Sequence, residues 1–109
     1  MVEYTLELNN IFGSLADPTR RDILSRVSKK SLSVSEIAKH YKLTFAAISK
    51  HLQVLQKAKL IVKHREGKKQ IIKASPTTLK DAADYLQRYE VIWNERFDRL
   101  DKLLQQEKN

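Results

Sequence analysis

Few residues in this 109-residue chain are suited to covalent or proton-transfer chemistry. His40, His51 and His64 are the only imidazoles, and so the only side chains that ordinarily titrate near neutral pH. No Ser–His–acid arrangement and no acid–base pair of carboxylates follows from the spacing. Two glycines are too few for a loop that cradles phosphates. Zero cysteines exclude disulfides, thiolate metal sites and thiol redox sensing. The expectation is a protein that is not an enzyme and carries no cofactor. What the chain offers instead is cations, 21 Lys/Arg against 13 Asp/Glu.

Those cations are concentrated. Residues 31–74 hold ten of them (Lys39, Lys42, Lys50, Lys57, Lys59, Lys63, Arg65, Lys68, Lys69 and Lys73) against Glu36 and Glu66. The flanking thirds are nearly balanced, so the middle segment accounts for the whole net charge of +8. A local basic field concentrates a polyanion at one surface. A solvated face kept charged for solubility is the alternative reading of charge alone.

The elements that must carry these residues are marked by their caps. A first helix is expected over about Glu3 to Leu15, with Leu6, Leu8, Ile11, Phe12 and Leu15 as its apolar positions and Gly13 near its end. Asp17-Pro18 opens a second, burying Ile23, Leu24 and Val27. Ser33-Val34-Ser35-Glu36 has the form of a capping box and predicts a short helix to about Tyr41, burying Val34, Ile37 and Ala38. Thr44 caps the next helix, which continues to about Ala58 with Ile48, Leu52 and Leu55 inward. Two short helices across a three- or four-residue turn form a helix-turn-helix, here over about 34–58, whose second helix enters a major groove. The period then becomes strand-like. Leu60–His64 and Gln70–Ala74 flank Arg65–Lys69, a β-hairpin with Gly67 at its tip and a basic wing over about 60–74. The expected fold is mainly α with a β-hairpin wing, a single winged helix-turn-helix domain over 1–109.

Ser75-Pro76 opens the last helix, expected over about 76–106. Leu79, Ala82, Leu86, Tyr89, Trp93, Phe97, Leu100 and Leu104 recur at steps of three and four, a stripe along one face about 39 Å long. So long an apolar stripe implies a partner, most simply a second copy. The alternative is a bend near Tyr89–Val91 that folds the helix back on its own domain. No apolar run is long enough to span a bilayer, and Met1–Thr5 has no signal-like start, so a cytoplasmic protein without membrane contact is expected.

Three motifs carry a family resemblance: Leu15-Ala16-Asp17-Pro18-Thr19-Arg20-Arg21-Asp22-Ile23-Leu24, then Leu32-Ser33-Val34-Ser35-Glu36-Ile37-Ala38, then Ile48-Ser49-Lys50-His51-Leu52-Gln53-Val54-Leu55. In this order, over roughly residues 10–75, they resemble the ArsR (arsenic-repressor-like) family. The tail from Tyr89 to Leu104 resembles a subset of it without the metal-binding tail. The resemblance implies a homodimeric repressor of its own or a neighbouring operon, bound to a partly palindromic double-stranded operator. Three departures stand out. Ser33 and Ser35 occupy the positions where the family's metal sensors have cysteines, and hydroxyls are poor ligands for thiophilic metals. No histidine follows His64, which removes the zinc site that other members build between their last helices. Lys59 stands where a Gly usually ends the recognition helix, so the turn into the wing is open to change. No metal site is expected, and the inducer is not specified.

Matched to the motif, the groove-facing positions are Thr44, Phe45, Ala46, Ser49 and Lys50. Phe45 and Ala46 offer no side-chain hydrogen bonds but can pack on thymine methyls, unless Phe45 packs on the neighbouring helix instead. Ser49 can bond a base or stay a solvated serine, and Lys50 can reach a guanine edge or a phosphate. Arg65, Lys68 and Lys69 are expected on phosphates or along the minor groove, with Lys39, Lys42 and Thr44 on flanking phosphates. The expected dimer interface comprises Leu8, Phe12, Leu86, Tyr89, Trp93, Phe97 and Leu100. Tyr85, Tyr89, Trp93 and Phe97 can instead line a small-molecule cleft. The competing function is a winged-helix module that binds protein or RNA without reading DNA sequence.

Overall fold

Caps fix where most helices begin in a computed structural model of the chain, which describes residues 2–108, with side chains from 7 to 107. Helix α1 spans Val2–Ser14 and α2 Pro18–Lys29. Asp17 caps α2 by accepting from the Arg20 N–H at 3.0 Å. The Leu6 side chain lies outside the described residues; Leu8 and Ile11 are buried. Strand β1 (Leu32–Ser33) leads into α3 (Val34–Ala38), and α4 follows over Phe45–Lys57. Strands β2 (Ile61–Glu66) and β3 (Lys69–Ala74) form the wing, and α5 runs over Pro76–Lys108. The chain divides into two units, Met1–Leu79 and Lys80–Asn109.

The first unit is built on one core. Ile23 of α2, Ile37 of α3, Ile48 and Leu55 of α4, Leu60, Ile61 of β2 and Ile72 of β3 are all fully buried. Helix α4 turns its Ile48–Leu52–Leu55 edge inward, as the 4-and-3 spacing requires. The sheet has the order β1-β3-β2. Strand β1, which sequence patterning does not reveal, pairs Leu32 with Ile72 and Ser33 with Ile71. This pairing ties the start of the helix-turn-helix to the wing.

Three local expectations change. First, α3 ends at Ala38 rather than near Tyr41, leaving residues 39–44 between the two helices. The backbone leaves the α-helical pattern through three-residue bonds, His40 N–H to Ile37 O and Tyr41 N–H to Ala38 O. Tyr41 is held on α2 instead: its hydroxyl bonds Asp22 and its ring lies 6.0 Å from the Arg26 guanidinium carbon. Val34 and Ala38 are accordingly half-buried, while Ile37 is fully buried. Second, the hairpin pairs down to Glu66 and Lys69, so its loop is the two residues Gly67-Lys68 rather than five. Gly67 has φ 61° and Lys68 does not share the sign, the pattern of a II′ turn with Gly first. Third, the turn into the wing is not altered by Lys59. This residue adopts the left-handed φ of 61° that Gly usually supplies. Its N–H donates to Gln56 O at 2.9 Å and the Leu60 N–H to Leu55 O at 3.1 Å. Leu60 and Leu55, the apolar pair that accompanies such a cap, are both fully buried.

In the second unit α5 continues without interruption through Tyr89–Val91. Leu86, Tyr89, Trp93, Phe97, Leu100 and Leu104 are all exposed, with Trp93 at 50% and Phe97 at 55%. Neighbouring rings on the stripe touch: Tyr85 with Tyr89 at 5.3 Å and Trp93 with Phe97 at 6.0 Å between centroids. Arg96 lies over Trp93 at 5.5 Å. Among the described residues no helix is long and apolar enough to cross a membrane.

Candidate nucleic-acid interface

The outer face of α4 follows from its buried one. With Ile48, Leu52 and Leu55 inward, Phe45, Ala46, Lys50 and Gln53 are exposed and Ser49 is half-buried. Phe45 is 64% exposed, so most of its side chain is open to solvent rather than covered by the neighbouring helix. Thr44 begins the helix: its hydroxyl oxygen accepts from the Ala47 N–H at 3.1 Å. That bond leaves the hydroxyl proton free to be given to an oxygen outside the chain.

The helix in front is fixed by a complete capping box. The Glu36 N–H donates to Ser33 Oγ at 3.1 Å, and the Ser33 N–H donates to Glu36 Oε1 at 3.0 Å. The Ser33 N–H first, and then the Ser33 hydroxyl, hold the Glu36 carboxyl below the usual carboxylate range, with Lys69 and Lys30 adding to the effect. Glu66, the other acid of the basic segment, faces His64 Nε2 at 3.0 Å. Both acids are thus engaged within the chain. Ten cations against these two acids leave the segment strongly positive.

Helix α4, the start of α3 and the wing enclose a cleft of about 330 Å³. It brings together Phe45, Ser49, Lys68 and Lys69 of the expected set. Ala46, Lys50, Thr44, Lys39, Lys42 and Arg65 are exposed but do not line it. Arg65 folds along the hairpin tip, its Nε donating to Gly67 O at 3.2 Å. The cleft also contains Ser33, Ser35, Gln53, Gln56, Lys63 and Gln70, which sequence reasoning does not assign to DNA contact. Two signals point to part of this set. Gln53 follows Phe45 and Ser49 at four-residue steps, on one helix face. Lys63 and Gln70 fall on one face of the hairpin, but only once the two-residue loop sets the register.

The three histidines do not converge. His51 lies on the α2 side of α4, its Nδ1 3.8 Å from Asp17 Oδ2 and 3.5 Å from Arg20 Nη1. Arg20 in turn donates to Ser14 O at 2.6 Å and Gly13 O at 3.3 Å, fastening α1 to α2. Among the described residues no group of three or more His, Cys, Asp or Glu gathers where a metal could be held. Ser33 has its oxygen committed to the cap, so it is a structural hydroxyl.

A helix-turn-helix whose second helix is followed by a short basic hairpin defines the winged helix-turn-helix class. The family model for bacterial regulatory proteins of the arsR family matches residues 17–63. The transcriptional repressor SdpR of Bacillus subtilis is 33% identical over 79 residues, covering 72% of this chain and 88% of that protein. The HTH-type transcriptional regulator Rv2034 of Mycobacterium tuberculosis is 34% identical over 76 residues, covering 70% and 71%. Among solved structures, an ArsR-like transcriptional regulator from Rhodococcus sp. RHA1 superposes with a TM-score of 0.76 at 28% identity. That match covers 93% of this chain and 95% of the other. The chain belongs to the ArsR family of bacterial transcriptional regulators.

Proposed function

We propose that the chain is a homodimeric repressor that binds a partly palindromic DNA operator and controls its own or a neighbouring operon. The observation that carries this reading is the exposed outer face of α4, with Phe45, Ala46 and Lys50, of which Phe45 shares a cleft with the wing lysines Lys68 and Lys69. Helix α4 lies in the major groove, with Ser49 and Lys50 toward base edges and Thr44, Lys39 and Lys42 on phosphates. The wing places Arg65, Lys68 and Lys69 along the adjoining minor groove. One sugar-phosphate strand separates the two grooves, so it crosses the cleft between helix and wing. Lys63 and Gln70 therefore join the phosphate contacts.

Pairing rests on the exposed stripe of α5. Leu86, Tyr89, Trp93, Phe97 and Leu100 meet their counterparts across a two-fold axis, excluding water from side chains that a lone copy leaves about half bare. Of the two α1 residues expected at the interface, Leu8 is buried within the chain and has no surface to offer a partner, whereas Phe12 is half-buried. A two-fold dimer would present two α4 helices to half-sites about 34 Å apart, one turn of the duplex.

The wing assignment is tested by salt dependence. In Lys68→Ala/Lys69→Ala, binding to all duplexes weakens, and the slope of log K against log salt becomes shallower by about 1.8, roughly 0.9 for each phosphate no longer neutralised. An unchanged slope removes the wing from the interface.

A further inference from the structure

We propose that Phe45 and Ala46 read thymine methyl groups, so that each operator half-site carries thymines at the base pairs under the start of α4. The inference rests on the DNA-binding reading above and adds the chemistry of the sequence read. Phe45 is the first residue of α4 and the most exposed of the large apolar side chains on the described surface, at 64%. It is an aromatic ring in a cleft whose charged lining is Lys63, Lys68 and Lys69, with Ser49, Gln53 and Gln70 among its polar residues. That cationic setting selects a polyanion over an apolar protein partner.

Within a major groove only thymine presents an apolar group, its 5-methyl. Placed over any other base edge, the Phe45 ring would strip water from donors and acceptors and return no hydrogen bond. Ala46, exposed at the next position, has the same limitation and fits a neighbouring methyl. Thr44 fixes the distance. Its oxygen is bound to the Ala47 N–H at 3.1 Å and its proton can go to a backbone phosphate, which seats the first turn of α4 close to the bases. Ser49, one turn on and in the same cleft as Phe45, supplies the polar contact to the following base pair.

The test uses the full chain. Duplexes are first selected from a random library, and the preferred duplex is then remade with deoxyuridine replacing each thymine in turn, which deletes one methyl and nothing else. One or two positions per half-site should lose about fourfold in affinity per methyl. Phe45→Ala should abolish the loss at its position, while Phe45→Leu keeps it. The ring is exposed, so neither variant should change the circular dichroism spectrum. If every deoxyuridine duplex binds like its parent, methyl reading is wrong while sequence-specific binding stands. A deoxyuridine loss that persists unchanged in Phe45→Ala also overturns the assignment to this residue. If no sequence is enriched from the library, both the methyl reading and the repressor reading fall.

Discussion

At the level of single residues, the backbone of Lys59 and the carboxylates of the caps are where the sequence commits free energy. Lys59 holds a left-handed backbone so that α4 can end with both closing hydrogen bonds made. A side chain in that region costs about 1–2 kcal/mol relative to Gly, and Gly returns part of this through the greater freedom of the unfolded chain. The exposed Lys59–Glu7 contact at 3.9 Å contributes little against that balance. Lys59→Gly should therefore stabilise the protein by about 0.5–1 kcal/mol in urea unfolding. A destabilised variant would mean the left-handed turn carries no strain. Asp17 is held below the carboxylate range chiefly by the Arg20 N–H, Asp22 by the Tyr41 hydroxyl and then Arg26, and Glu36 by the Ser33 N–H. Their stabilising effect is present above about pH 4, the unfolded value, and is lost as pH falls through the lower folded values. Tyr41 works in the opposite direction. Burial, then its bond to Asp22, pushes its hydroxyl from 10.0 up to about 12, so its contribution is full below about pH 10 and disappears as pH rises to about 12. Thermal melting should show both shoulders, with the acid one reduced in Glu36→Gln. A melting temperature independent of pH from about 5 to about 3 would contradict the cap assignments.

Among the elements, the helix starts are the most legible in the sequence, because Asp17-Pro18, Ser33–Glu36 and Thr44 each announce themselves in a few adjacent residues. Features set by distant partners are not. Nothing local stops α3 at Ala38; the cause is Tyr41 docking on Asp22, 19 positions away. Strand β1 is two residues long and has no period to detect, existing only because Ile71 and Ile72 lie beside it. The hairpin tip reads as five residues because the charged run 65–69 hides the alternation that pairs Arg65 with Gln70 and Glu66 with Lys69. Of the residues proposed to face DNA, those on α4 are readable from helical spacing, whereas Lys63 and Gln70 need that register. The stripe on α5 is legible as a single helix face, and the observed helix exposes it from Leu86 to Leu104, whereas Ala82 is buried and Leu79 half-buried. If α5 is the pairing element, Trp93→Glu/Phe97→Glu should leave each copy folded and convert a particle of twice 12.7 kDa to one of 12.7 kDa in sedimentation. Operator affinity should fall with it, since each half-site would then bind alone. A native chain that sediments as a monomer at micromolar concentration would refute pairing through this helix.

For the molecule as a whole, the decisive feature is that the entire net charge of +8 resides in residues 31–74, the segment carrying α3, α4 and the wing. Ten cations face only two acids there, Glu36 and Glu66, so the field stays positive after both are counted. Charge alone does not separate a polyanion site from a solvated face. The fold adds the distinction, since Lys63, Lys68 and Lys69 line a cleft together with Phe45 and Ser49 of α4. The most direct measurement is a gel-shift titration of the full chain with DNA from upstream of its own gene. It is run at two salt concentrations and with excess competitor duplex. A sequence-specific repressor forms a complex that survives competitor at both salt concentrations and weakens steeply with salt, as phosphate contacts require. Equal binding to any duplex, or to RNA, would contradict that assignment.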